Sequence, residues 1–304
     1  MTEPRRIASF LMGVALMLAS TAFAGPTAAE GGDDGLEIWD DPSFRKEFLG
    51  SYGVRSEVEP RVTQVEREGM EKILPLLSSD LDAAAAALLE IITPESSAIF
   101  DFTLANIYFQ QDELDEAARY YTDALAKFPS YLRAHKNIGL VRVRQGRFED
   151  AIKPLSRVIQ LGGEDGLTYG LLGYCYSSTE QYVPAESAYR DAVMLQADVL
   201  DWKLGLTQAV LKQRKYGEAV NLLGELIERY PDRADFWLLQ ANAFIGLDEP
   251  MMAAENFEIV QRMGKSSIQS LNTLGDIYVN ENLWDLAVRA YRLAAELDTS
   301  QTVR

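Results

Sequence analysis

The chain has 304 residues, enough for two ordinary domains or one long repeat array. Apolar residues make up 47 % and charged residues 25 %, which excludes wholesale disorder, and the formal net charge of −17 repels nucleic acid unless a local basic patch overrides that field. One His and one Cys are too few for a zinc site of the usual kind and leave no intramolecular disulfide, so no metal and no cofactor is expected.

The first element is an address. Arg5 and Arg6 precede the apolar run 7–19, and Ala22-Phe23-Ala24 stands ahead of Gly25-Pro26. That is the order of a secretory signal peptide, so residues 1–24 are predicted to be cleaved and the chain exported, to the periplasm in a Gram-negative host. The run is short for a bilayer span of about 20 residues. No stable membrane span is expected after cleavage; retention as an anchor is the alternative. Cleavage takes Arg5, Arg6 and Glu3 and leaves 27 basic and 45 acidic side chains, a net charge of −18.

Residues 25–59 read as a flexible leader, rich in Gly and Asp at its start. Within it Asp41-Pro42 opens a short helix to about Leu49, with Phe44, Phe48 and Tyr52 on one face. Trp39, Phe44 and Phe48 either pack back onto the rest of the chain or dock another protein. Residues 60–97 are predicted to form a degenerate capping helix pair, because Glu66–Leu77 and Asp80–Ile92 both carry helical apolar spacing. Ala83 lies 34 residues before the first of the alanines described next.

From there the chain repeats every 34 residues. Ala117, Ala151, Ala185, Ala219, Ala253 and Ala287 stand in register without an insertion. Four residues further on come Tyr121, Leu155, Tyr189, Leu223, Phe257 and Tyr291, all large. Twelve residues before each alanine are Ala105, Gly139, Gly173, Thr207, Ala241 and Gly275, all small. Spacings of 4 and 7 lie on one helix face, so each unit is two helices, A and B, with small residues where they meet. Five residues before each alanine come Asp112, Gly146, Glu180, Arg214, Asp248 and Asn282; four of the six are types that tolerate a left-handed backbone and break the chain between A and B.

This pattern resembles the tetratricopeptide repeat family. The unit 98–131 fits best, with Leu104, Ala105, Tyr108, Ala117, Tyr121, Ala124 and Pro129 at the signature places. Six units are expected, 98–131, 132–165, 166–199, 200–233, 234–267 and 268–301. Gln240 stands where the family has an apolar residue and Arg142 where it has an aromatic one. The resemblance implies an all-α, right-handed α-solenoid of antiparallel helix pairs: six repeats plus the N-terminal cap pair. Such an array presents an extended concave face, which in this family is lined by the A helices and holds a peptide or a partner's helix.

Catalytic chemistry is not expected. His135 occupies an A-helix position and Cys175 lies in Tyr174-Cys175-Tyr176, with no His or Lys near in sequence to activate the thiol. The candidate partner-binding residues are instead those that the A-helix register projects onto the concave face: Asn106, Phe109, Gln110, Arg133, Lys136, Asn137, Arg144, Tyr174, Gln208, Lys212 and Asn242, with Leu140, Val143 and Leu171 beside them. The stretch 133–147 holds five basic residues, Arg133, Lys136, Arg142, Arg144 and Arg147, and no acid. It is either a solvated helix pair balanced by neighbouring acids or an attractor of acidic peptides. Asn106 and Asn137 match places of the carboxylate clamp known in the family, whereas Phe102, Leu167 and Leu171 stand where its cations would be, so the full clamp is absent.

The resemblance thus implies a non-enzymatic scaffold for a protein or peptide partner and not for nucleic acid. Exported proteins of this layout accompany envelope machines, including TonB-type systems, outer-membrane assembly and secretion. A carbohydrate- or peptidoglycan-binding module is the alternative. The register makes a first prediction: Leu223→Ala costs roughly 2–5 kcal/mol and Arg144→Ala far less, read as the two urea midpoints; comparable midpoints would contradict the helix faces assigned above.

Overall fold

The computed structural model describes residues 59–302; the predicted signal peptide and nearly all of the leader lie outside them. Among the described residues there are fourteen α-helices and no strand. The first compact body, ending at Gly146, holds α1 (Gln64–Ser79), α2 (Leu81–Ile91), α3 (Ala98–Gln110), α4 (Leu114–Lys127) and α5 (Leu132–Arg144). The second starts at Arg147 and holds α6 (Phe148–Gln160), α7 (Gly166–Ser178), α8 (Tyr182–Leu195), α9 (Leu200–Lys212), α10 (Tyr216–Arg229), α11 (Ala234–Gly246), α12 (Pro250–Arg262), α13 (Ile268–Asn280) and α14 (Trp284–Thr302). The boundary between the bodies falls inside the repeat 132–165.

In the first body the cap pair is tied to the first repeat by polar bonds. Thr63 and Glu66 form a capping box at the start of α1. The Glu66 carboxylate also accepts from the Ser97 amide at 2.7 Å, just before α3. Asp80 caps α2 by accepting from the Ala83 amide at 3.0 Å, and Gln111 donates to Asp82 at 2.7 Å. The repeat register slips here: Ala83 is only half-buried, while Ala84, Ala85 and Leu88 enter the core with Ile73. Pro75 sits well inside α1, which continues through it.

In the six repeats the alanine register holds throughout: Ala117, Ala151, Ala185, Ala219, Ala253 and Ala287 are all buried. The small residues of the A helices are needed for close approach. A Cβ on Gly173 would lie 2.7 Å from the Tyr189 ring, and one on Gly275 would lie 2.5 Å from the Tyr291 ring. Tyr189 also fills the space over Gly205, where a Cβ would come within 2.3 Å. Pro154 lies on the seventh residue of α6 and Pro184 on the third of α8, and neither helix breaks.

The A-to-B turn is more uniform than its residue types. All six turn residues take positive φ: Asp112 66°, Gly146 72°, Glu180 60°, Arg214 60°, Asp248 62° and Asn282 59°. Closure follows the Schellman pattern. The Glu113 amide donates to the Tyr108 carbonyl at 2.9 Å and the Asp112 amide to Phe109 at 3.3 Å; the Gln181, Lys215, Glu249 and Leu283 amides make the first of these bonds in their own repeats. Glu180 and Arg214 therefore carry a strained backbone that tertiary packing imposes, at about 1–2 kcal/mol each. Arg214→Gly is expected to raise the unfolding free energy by about 0.5–1 kcal/mol, the relief of strain less the entropic cost of Gly; a lowered urea midpoint would contradict it.

Candidate functional site

Seven of the eleven candidate residues lie on α3 and α5 of the first body, and the two helices meet in three rungs. At the first rung Arg133 lies over the Phe102 ring, 5.3 Å from its centroid, and 5.7 Å from that of Tyr131. Its guanidinium grips the Glu59 carboxylate in a fork, Nε to Oε1 at 2.9 Å and Nη2 to Oε2 at 2.6 Å. At the second rung Asn137 donates to Asn106 Oδ1 at 2.9 Å and to the Tyr121 hydroxyl at 3.1 Å, while that hydroxyl donates to Asn106 Oδ1. The two acceptors are themselves hydrogen-bonded to each other, so Asn137, Asn106 and Tyr121 close a compact polar triangle. At the third rung Arg144 lies 4.9 Å from the Phe109 ring centroid and donates to Asp112 at 2.6 Å.

The strip is an aromatic floor carrying two guanidinium groups and an amide pair. Gln110 is exposed at its edge and Lys136 half-buried. Phe102 is buried, so the apolar residue at the clamp position serves as a platform for Arg133. Three members of the basic stretch hold acids of this chain: Arg133 holds Glu59, Arg144 holds Asp112 and Arg147 holds Asp150. Burial with the aromatic rings pushes the Tyr121 and Tyr131 hydroxyls well above the ordinary phenol range, so both stay neutral.

The other candidates belong to the second body. Tyr174 on α7 is half-buried and meets Phe148 edge-on at 5.3 Å. Gln208 and Lys212 on α9 and Asn242 on α11 are exposed. Three residues expected on the binding face are not available to a ligand: Leu140, Val143 and Leu171 are 4 %, 6 % and 1 % exposed. They point into the helix packing because an A helix in a stack is covered on both flanks, which narrows its free face.

Cys175 and His135 both serve the fold. Burial pushes the Cys175 thiol up to about 12, leaving it inert as a nucleophile. His135 Nε2 bonds the Pro129 carbonyl at 3.0 Å and so fixes the end of α4. Among the described residues no group of His, Cys, Asp and Glu side chains could hold a metal ion, and no helix is long and apolar enough to cross a membrane. Gln240, the polar departure from the family pattern, is buried and satisfied: it accepts from Asn256 at 3.0 Å and donates to the Val220 carbonyl at 3.0 Å. Nothing in the 34-residue register announces this pair, since Asn256 lies off the conserved-size positions.

Two model matches of one description, tetratricopeptide repeat, cover residues 102–165 with 204–250 and residues 168–199. The chain is a tetratricopeptide-repeat protein. It is 26 % identical over 196 residues to the BBSome complex member BBS4 of Bos taurus, covering 62 % of this chain and 37 % of that protein. It is 24 % identical over 155 residues to the intraflagellar transport protein 70A of Xenopus laevis, covering 51 % and 23 %. A further match, at 23 % over 215 residues, is the protein O-mannosyl-transferase TMTC3 of Homo sapiens, of which 24 % is covered. The tetratricopeptide-repeat chain thus spans well under half the length of these relatives. Among solved structures it is similar in fold to YrrB, described as having an unusual peptide-binding site, with a TM-score of 0.54 at 20 % identity over 58 % of this chain and 90 % of that one. It is also similar to MamA from Desulfovibrio magneticus RS-1, with a TM-score of 0.50 at 19 % identity over 56 % and 96 %.

A strong electrostatic feature of the second body is Glu186 on α8, which sequence reasoning missed because two of its partners, Gln213 and Lys215, lie 27 and 29 residues on. Burial alone would raise its carboxyl. Lys215 at 2.6 Å, Arg190 at 2.6 Å and Gln213 outweigh that and hold it at about 2. Arg190 reaches on to Glu218. The folded value lies below the ordinary 4.5, so the unfolded chain takes up the proton first as pH falls. The stabilisation is therefore complete above about 4.5 and is lost as pH falls towards 2. The urea midpoint of the wild type is expected to exceed that of Glu186→Gln at pH 6 and to converge on it between pH 4.5 and 2; a constant gap would contradict this linkage.

Proposed function

We propose that this protein is a non-enzymatic scaffold of the cell envelope, exported through its signal peptide and periplasmic in a Gram-negative host, whose α3–α5 strip binds an acidic segment of a partner protein. The observation that carries the reading is the fork from Arg133 to Glu59 over the Phe102 and Tyr131 rings. Charged and planar, it is the geometry that selects a carboxylate, and stacking on aromatic faces adds to it. Glu59 shows what a partner's Asp, Glu or C-terminal carboxylate would do there, and the half-buried Lys136 and Arg144 extend positive charge along the strip. In a protein of formal charge −17 such a strip is a local inversion that steers acidic partners to one place.

The partner is proposed to belong to an envelope complex of the TonB-type, outer-membrane assembly or secretion kind. The peptide-binding description of YrrB supports the reading only through a shared fold. A carbohydrate-binding reading draws no support from the A helices: Trp202 is buried, and Trp237 is half-buried with its indole donating to the Pro231 carbonyl at 2.9 Å.

Affinity capture from envelope extracts with mass spectrometry tests the proposal. The wild type should retain a set of acidic partners that the triple reversal R133E/K136E/R144E loses, with helicity unchanged. Glu59→Ala should retain more of the same set, because it frees Arg133. Identical capture by all three proteins would overturn it.

A further inference from the structure

The second body ends on a face that earlier repeats cover. Two register positions of each B helix make the contact with the following repeat: the opening residue, and the one four further on. The openings are Leu114, Phe148, Tyr182, Tyr216 and Pro250, and the second set is Ala118, Ile152, Glu186, Val220 and Ala254; none of the ten is exposed. The partners are visible. Phe148 meets Tyr174 of the next A helix, and Gly246 lies so close over the Tyr216 ring that a Cβ would come within 2.6 Å of it. Glu186 accepts from Gln213 and Lys215, and Val220 packs against a cluster that includes Ala241 and Phe244.

One repeat further the same two positions are Trp284 and Val288, which are 58 % and 65 % exposed. They stand four apart on one face of α14, the last element described. A tryptophan and a valine at positions that are otherwise covered make an apolar face with no occupant among the described residues.

We propose that this face is covered by the same face of a second copy of the chain, with the two α14 helices antiparallel across a two-fold axis near Val288. The charge pattern selects this occupant. The acids Glu281 and Asp285 flank the start of α14, and Arg289 and Arg292 follow along it. A two-fold axis at Val288 lays each residue n before it against the residue n after it. Trp284 of one copy then meets Arg292 of the other, an indole beneath a guanidinium, and Asp285 falls between Arg289 and Arg292 of the other. One patch supplies both halves of every pairing, as a two-fold contact requires. The competing contact of Arg292 within the chain, to exposed Glu296 at 3.9 Å, is too long and too solvated to hold it.

Sedimentation velocity on the full chain over a wide concentration range tests the inference. The wild type should show a monomer–dimer equilibrium. The double variant W284E/V288E should remain monomeric with unchanged circular dichroism, since both side chains are exposed. Arg292→Glu should weaken the dimer about tenfold, and adding Asp285→Arg to it should restore association. Val288→Cys should yield a covalent dimer on mild oxidation, as Cys175 is buried and does not compete. A wild type that stays monomeric, a dimer indifferent to W284E/V288E, or an open-ended ladder of oligomers would each overturn the two-fold contact.

Discussion

A small residue on the first helix of each hairpin and a large one on the second set the distance on which everything else depends. At Gly173 and Gly275 the opposing tyrosine rings fill the volume that a Cβ would need, so the helices approach until ring meets backbone. Such contact gives the interior its density, and it leaves no slack for a different crossing. The turn is a consequence. Helices this close, joined by so short a connection, require one residue of left-handed backbone between them, and the chain adopts it at Glu180 and Arg214, which have no intrinsic liking for it. Packing overrides local preference, and the 34-residue period makes the override recur at the same place.

The same geometry rations the surface. An A helix flanked on both sides keeps only a narrow free strip, so each residue there has to serve the fold and the site together. Asn137 does both: its amide satisfies the hydroxyl of fully buried Tyr121 while fixing Asn106 beside it. Arg133 and Arg144 are held over Phe102 and Phe109, which limits the freedom they would lose on gripping a ligand. Pre-organisation of the strip is thus inherited from the core beneath it.

The repeat was legible in the sequence because a contact between residues 16 apart, such as Gly173 with Tyr189, recurs at a fixed period and so leaves a pattern in one chain. The αL turns were legible for the same reason, even where residue type argued against them. What escaped detection lacks a period. The slip from Ala83 to Ala84 in the cap pair follows from packing against one neighbour only, and an alanine run offers no side-chain shape to mark the register. The fork between Arg133 and Glu59 joins residues 74 apart with nothing to announce the pairing. Arg133 and Asn137 could be placed on the strip from sequence because they project from an A helix. Leu140, Val143 and Leu171 were misplaced because helical projection alone does not show how wide a face the neighbouring helices cover.

The charge distribution follows from the same division of labour. A repeat array gains stability from each interface with its neighbour, and apolar contact there leaves the exposed faces free to vary. The excess of acid accumulates on those faces, where it costs the fold little and favours solubility. Four cations each hold a specific acid: Arg144 with Asp112, Lys215 and Arg190 with Glu186, Arg133 with Glu59. Of these, Glu186 is buried between repeats and Asp112 is the left-handed turn residue itself, so both acids are bound to their places by the fold. Glu59 lies before the first helix, outside every repeat, and gives up little when its carboxylate is exchanged for another. Of these four cations, Arg133 is therefore the one best suited to an incoming acid, because its present partner is the one that the helix stack does not hold in place.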